Sequence, residues 1–239
     1  MEQFESRAYS KFIDLSHTLQ HGQVTYEGLP APSISDYLSR EASREHYSPG
    51  TEFHIGKIEM VASTGTYVDA PFHRFADGLD VSELPLPSLA NLESVVIRAN
   101  PDQGRAVDAS AFEGKDLVGK AVLVHTGWSV HWGTAQYFES HPFLTEDAAQ
   151  YLSDSGVALV GIDSLNVDDT RDGRRPVHTI LLGERVPLVE HLTNLDKLPD
   201  QGFRFFAVPT KVKGLGSFPV RAFGLVSCRR QGQCKWNRT

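Results

Sequence analysis

The sequence predicts an α/β domain, and three observations predict it. Short runs rich in β-branched and aliphatic residues recur along the chain, at 12–16, 94–98, 120–125 and 157–162. Two segments between or after them carry helix-start chemistry, at 145–155 and 176–182. The chain has 239 residues, 40% of them hydrophobic and 22% charged, enough for one full core and ordinary for a globular protein. No repeat, low-complexity stretch or linker divides it, so residues 1–239 are read as one domain, with 1–10 and 227–239 as loose tails.

In chain order, residues 12–16 are a short strand that ends in turn chemistry. Gly22, Gly28, Pro30 and Pro32 make 17–32 a loop. Residues 34–48 mix polar and apolar character and read as a mobile or partly helical flap. The run 53–62 reads as a strand that feeds into residues 63–73. If that strand continues, Ser63, Gly65, Tyr67 and Asp69 share one face, because side chains alternate with a period of two. Pro71 then stops the ladder, and His73 returns toward the same pocket from a loop. Residues 77–80 are a turn and 84–87 a proline-stiffened connector. Thr145 is a suitable N-cap, Glu146 and Asp147 suit the positive end of the helix, and Gly156 stops it. A buried strand follows at 157–162. Pro176 is well placed at a first helical position.

Composition limits the function. Twenty-three Lys and Arg against 30 Asp and Glu give −7, and no basic stripe marks a nucleic-acid partner. The first eleven residues have no apolar core like that of a signal peptide, and nowhere do 18 apolar residues run together, so the expectation is a cytoplasmic protein without a membrane span. Cys228 and Cys234 are too few for a disulfide framework and read as incidental thiols near the end.

The stretch Ser63-Thr64-Gly65-Thr66-Tyr67-Val68-Asp69-Ala70-Pro71-Phe72-His73 places a carboxylate and an imidazole four residues apart, which suits metal binding or proton transfer. It resembles the signature of the putative cyclase family, which includes bacterial kynurenine formamidase and isatin hydrolase, and which reads His-x-Gly-Thr-His-x-Asp-x-Pro-x-His. Gly65, Thr66, Asp69, Pro71 and His73 match; Ser63 and Tyr67 stand where two histidines belong. Further pieces match in order, among them His125-Thr126-Gly127-Trp128, Gly161-Ile162-Asp163-Ser164 and Gly216-Ser217-Phe218-Pro219-Val220-Arg221.

The resemblance implies a swivelling β/β/α fold with a mixed sheet, a homodimer, and a small-molecule substrate. It also implies roles. Asp69, His178 and Glu190 are metal ligands, the last two at the family's spacing; His73 is the general acid/base; Tyr26 contacts substrate. Ser63 is a poor ligand when neutral, and is taken with Tyr26 as substrate-binding. Tyr67 would ligate only as a phenolate and is read as a hydrogen-bond donor to the substrate or its oxyanion. One divalent metal, zinc or manganese, then supports hydrolysis of a small cyclic or acyl amide or ester. Two alternatives stay open: a metal-free acid/base cyclase, dehydratase or isomerase, and a binding protein that has lost its metal. Arg171, Arg174 and Arg175 read as a solvated loop that can also hold a substrate carboxylate. Lys211 and Lys213 lie in a segment that approaches the site in the family. His191 either orients Glu190 or faces solvent, and His17, His21, His46, His54, His125, His131 and His141 read as structural.

Overall fold

A computed structural model describes residues 9–99 and 104–228. Its strands, in chain order, are β1 (Tyr9–Asp14), β2 (Ser33–Leu38), β3 (Ile55–Glu59), β4 (Tyr67–Asp69), β5 (Leu92–Arg98), β6 (Ala106–Val107), β7 (Ala121–His125), β8 (Phe143–Leu144), β9 (Leu159–Ile162), β10 (Leu188–Glu190), β11 (Gln201–Phe206), β12 (Ser217–Pro219) and β13 (Phe223–Cys228). The helices are α1 (Arg40–Ser43), α2 (Glu146–Asp154) and α3 (Pro176–Gly183). Nine strands form one sheet in the order β1-β13-β11-β5-β7-β9-β10-β4-β12. The four central strands β5, β7, β9 and β10 run parallel, and antiparallel strands flank them on both sides. The α/β class with a mixed sheet is therefore as the sequence predicts. Among the described residues no helix is long and apolar enough to cross a membrane.

Strand alternation sorts the core. Val95, Ile97, Val122, Val124, Val160, Ile162 and Leu188 point to one face, where α2 and α3 bring Ala148, Leu152, Val177 and Leu181. Val96, Leu123, Leu159, Val189, Val68 and Phe205 point to the other. Helix α2 begins as its sequence requires, with the Thr145 hydroxyl accepting from the Ala148 N–H.

Two expectations are corrected. Residues 53–62 do not continue as one strand into the signature. β3 ends at Glu59 and pairs with β2 in a separate ribbon, and the chain re-enters extended structure only at Tyr67. Gly65 breaks the run: its φ is +70°, and the Leu19 side chain sits where a Cβ would be. Residues 34–48, expected as a flap, open with strand β2, whose Ile34 faces Ile58 across the ribbon, and only α1 is helical. The end strands also reach into both predicted tails, since Tyr9 pairs with Cys228. Cys234 lies outside the described residues.

Candidate metal and acid/base site

The site forms where β4 is inserted between β10 and β12. Register puts Glu190 opposite Tyr67 and Ser217 opposite Asp69, so all four side chains project on the α3 face. Tyr67 and Asp69 thus share a face as alternation predicts; Ser63, in the loop before β4, reaches the site from outside the strand. After Asp69, Pro71–His73 forms one 3₁₀ turn that swings His73 back over the site. Gly216 permits this, because a Cβ there would lie 2.5 Å from the His73 Cα.

Helix α3 supplies His178. Its N-cap position is Arg175, in the left-handed region at φ +52° with no capping side chain. Asp168 caps the helix instead: its carboxylate accepts from the Val177 and His178 N–H groups at 2.7 and 3.1 Å. The same carboxylate pairs with His178 Nδ1 at 2.6 Å. That turns Nε2 inward, 3.7 Å from Asp69 Oδ2 and 3.8 Å from Glu190 Oε1. His73 approaches the other oxygen of Asp69, with Nδ1 3.7 Å from Oδ1.

Asp69 is fully buried, and neither of its oxygens has a hydrogen-bond partner among the described residues. Two orphaned carboxylate oxygens facing two imidazoles fit a cation, because an unpaired buried acceptor is costly. Asp69, His73 and His178 each offer a ligand atom, all within 4.8 Å of one another. Glu190 stands outside that mutual set, with its Oε1 3.8 Å from His178 Nε2. The donor types present, imidazole and carboxylate, suit zinc or manganese.

Tyr67 and Ser63 are each engaged by neighbouring side chains. The Tyr67 hydroxyl donates to Glu190 Oε2, which also accepts from Asn166 Nδ2 at 3.2 Å, while Glu190 Oε1 accepts from the Val167 N–H at 2.7 Å. Burial and the Glu190 and Asp69 carboxylates hold the Tyr67 phenol well above its ordinary value, so it stays a donor and not a phenolate ligand. Its one proton is committed to Glu190, which leaves none for the oxyanion role read from the sequence. Ser63 donates to Ser217 Oγ at 3.1 Å, and Ser217 lies 2.9 Å from His73 Nδ1.

The electrostatics follow from burial. Burial pushes the Glu190 carboxyl up to about 7, with Asp69 adding to the rise and His178 opposing it. Burial alone would lower His178, but its bond to Asp168, with Asp69 and Glu190 near Nε2, raises it to about 10. Burial also raises Asp69, yet His73 and His178 outweigh this and hold it below the ordinary carboxylate range. A folded-state pKa of about 10 against 6.5 for the unfolded chain means His178 keeps a proton that the unfolded chain loses. Its contribution is complete below pH 6.5 and is lost as pH rises toward 10. Metal-free protein should therefore lose stability between about pH 7.5 and about pH 9, by up to about 1.4 kcal/mol per pH unit. Urea unfolding at the two pH values checks this, and His178→Gln should flatten the dependence.

Asp168 fixes the His178 tautomer, so Asp168→Asn should weaken metal binding about 10–100-fold without removing a ligand. Competition with a chromogenic chelator reads the change. Sequence reading missed Asp168, Asn166 and Ser217. Ser217 lies inside a family-matching segment, whereas the capping need that explains Asp168 appears only once Arg175 is seen at the helix start. His191 does neither thing proposed for it: it is fully buried, and its ring nitrogens have no partner among the described residues. Burial holds it near 3. Lys211 and Lys213 are exposed. Tyr26, Ser63, Tyr67, His73 and His178 line a common cavity of about 210 Å³.

A buried carboxylate–imidazole centre on a mixed sheet defines the class of the protein: an α/β fold with a candidate cation site formed by Asp69, His73 and His178. The chain belongs to the family described as Putative cyclase, whose model matches residues 13–169. It is 28% identical over 213 residues to the kynurenine formamidase of Bacillus cereus, covering 89% of this chain and 96% of that one. Isatin hydrolase A from Labrenzia aggregata, solved with benzyl benzoate, superposes with a TM-score of 0.78 at 22% identity, over 91% of this chain and 94% of that one. A structure described as a predicted metal-dependent hydrolase from Bacillus stearothermophilus gives 0.71 at 25% identity, over 91% and 99%.

Proposed function

We propose that this chain is a hydrolase of a small cyclic or acyl amide or ester, working with one divalent metal, zinc or manganese. The observation that carries the reading is the convergence of Asp69 Oδ2 and Glu190 Oε1 on His178 Nε2, with His73 on the opposite oxygen of Asp69. Asp69, His178 and Glu190 would hold the metal. When bound, it polarises the scissile carbonyl and lowers the pKa of water. A second metal has no support: Tyr67 and Ser63 occupy the relevant positions, one as a donor to Glu190 and the other on Ser217.

The chain's own residues then divide the work. Ser63 donates to Ser217, whose oxygen also accepts from His73 Nδ1–H, which leaves His73 Nε2 free to take a proton from the attacking water and return it to the departing nitrogen or oxygen. Tyr67 and Asn166 keep Glu190 in register. Tyr26 packs on the substrate in the cavity. The kynurenine formamidase and isatin hydrolase relatives make aryl formamides and cyclic aryl lactams the first substrates to assay. Chelator-sensitive, metal-restored hydrolysis of either supports the reading. Absence of turnover by metal-loaded protein on both would favour a binding protein.

The Tyr67–Glu190 hydrogen bond favours one second reading, a metal-free acid/base enzyme that moves protons through that pair. Activity that survives chelation and is lost in Tyr67→Phe would establish it. A homodimer is supported by the β2–β3 ribbon, on which Tyr37, Ile55 and Ile58 are exposed apolar side chains. A cytoplasmic location rests on the sequence expectation.

A further inference from the structure

Two arginines without an acidic partner at salt-bridge distance among the described residues line the cavity. Arg171 and Arg174 lie in the same loop as Arg175 and are each paired, with Asp169 and Asp172 respectively, as a solvated loop would have them. Arg175 differs. It is half-buried, lines the cavity, and is held through Nη1 by the Asp169 backbone carbonyl at 3.3 Å. Arg74 enters the same cavity from the turn after His73, held by the Thr179 hydroxyl at 3.1 Å and by the Phe75 ring face. Among the described residues neither guanidinium has an acidic partner within salt-bridge distance. Both are oriented by neutral groups, which position a guanidinium without spending its charge.

Arg175 also occupies a costly backbone state. It is a long side chain in the left-handed region, at a helix start where Ser, Thr, Asp or Asn is favoured. Asp168 has taken over the capping, so the side chain of Arg175 is free to serve the cavity.

The charge layout separates the two ends of the pocket. Asp69 and Glu190 put carboxylates behind the cavity wall, facing His178 Nε2, and Asp168 lies on the far nitrogen of the same ring. Arg74 and Arg175 put positive charge at the rim, beside Tyr26 and Leu29. From this we infer that the substrate is itself anionic: a single-ring amide or ester carrying a carboxylate, which Arg175 and Arg74 grip at the mouth while the carbonyl lies over Asp69 and His178. A volume of about 210 Å³ suits one ring with small substituents. The inference rests on the hydrolase reading for the bond attacked, but not for the anion binding.

Two fluorescent probes of nearly the same shape test it on the full chain stripped of metal. One is 2-aminobenzoate, which is anionic; the other is 2-aminobenzamide, which is neutral. The acid should bind about tenfold tighter or more, as one charge-assisted hydrogen-bond pair predicts, and added salt should erode the preference. Arg175→Gln and Arg74→Gln should each cut the acid's affinity several-fold while leaving the amide's unchanged. Equal affinities, failure of the acid to bind, or a preference that persists in the double variant overturns the inference. The wild-type comparison and its salt dependence stand even if a variant fails to fold. Chelator-sensitive turnover of a neutral formamide without acid preference would remove the clamp and keep the hydrolase. Acid preference without turnover of any amide would do the reverse.

Discussion

Asp69→Asn should abolish metal binding and lower turnover about 10³-fold or more. Asp69 is the carboxylate that both histidines face, Oδ2 toward His178 and Oδ1 toward His73, and it is fully buried without a hydrogen-bond partner among the described residues. The substitution preserves shape but removes the negative charge and one ligand oxygen. A metal contributes several kcal/mol of transition-state stabilisation, and each 1.36 kcal/mol is a factor of ten. The check is steady-state kinetics on an amide substrate beside metal content for the same preparation. Retained metal with unchanged turnover would exclude Asp69 from the centre.

His73→Gln should behave differently: turnover falls about 10²–10⁴-fold, the range for a lost general acid/base, while the metal stays bound. His73 is the accessible member of the cluster, with 39% of its side chain exposed against 0% for Asp69 and 7% for His178. Its Nδ1 is already engaged by Ser217. A group that must take up and release protons needs that access, whereas buried ligands do not. The expected signature is a fall in kcat with little change in KM. Loss of metal in this variant would move His73 into the ligand set.

Much of the site was legible because its chemistry is written in consecutive or regularly spaced residues. Tyr67 and Asp69 share a face through strand alternation alone, and Pro176 marks the start of the helix that carries His178. Glu190 was reached only through the family's spacing from His178, since residues 188–190 were not read as a strand. What escaped depends on contacts between distant segments. The break between β3 and β4 is set by Leu19 packing onto Gly65, a contact across 46 positions that local β-propensity cannot register. Strand β2 looked like part of a flap, although β3 lay in a run read as a strand, because alternation in the ribbon does not mark a core; both faces are largely exposed. Asp168 was hidden because a helix is ordinarily capped by its own preceding residue. Three arginines in a row of five gave one averaged reading, while the fold treats them separately: Arg171 and Arg174 pair with their own loop, and Arg175 turns inward. Ser63 and Tyr67 looked like losses, yet each has a defined partner, in Ser217 and Glu190.

The most direct measurement is the metal content per chain of untagged protein by mass spectrometry, made in parallel on wild type, Glu190→Gln and His73→Gln. The account predicts about one equivalent of zinc or manganese in wild type and in His73→Gln, and none in Glu190→Gln. No metal in wild type even after soaking, or metal kept in Glu190→Gln and lost in His73→Gln, would contradict it.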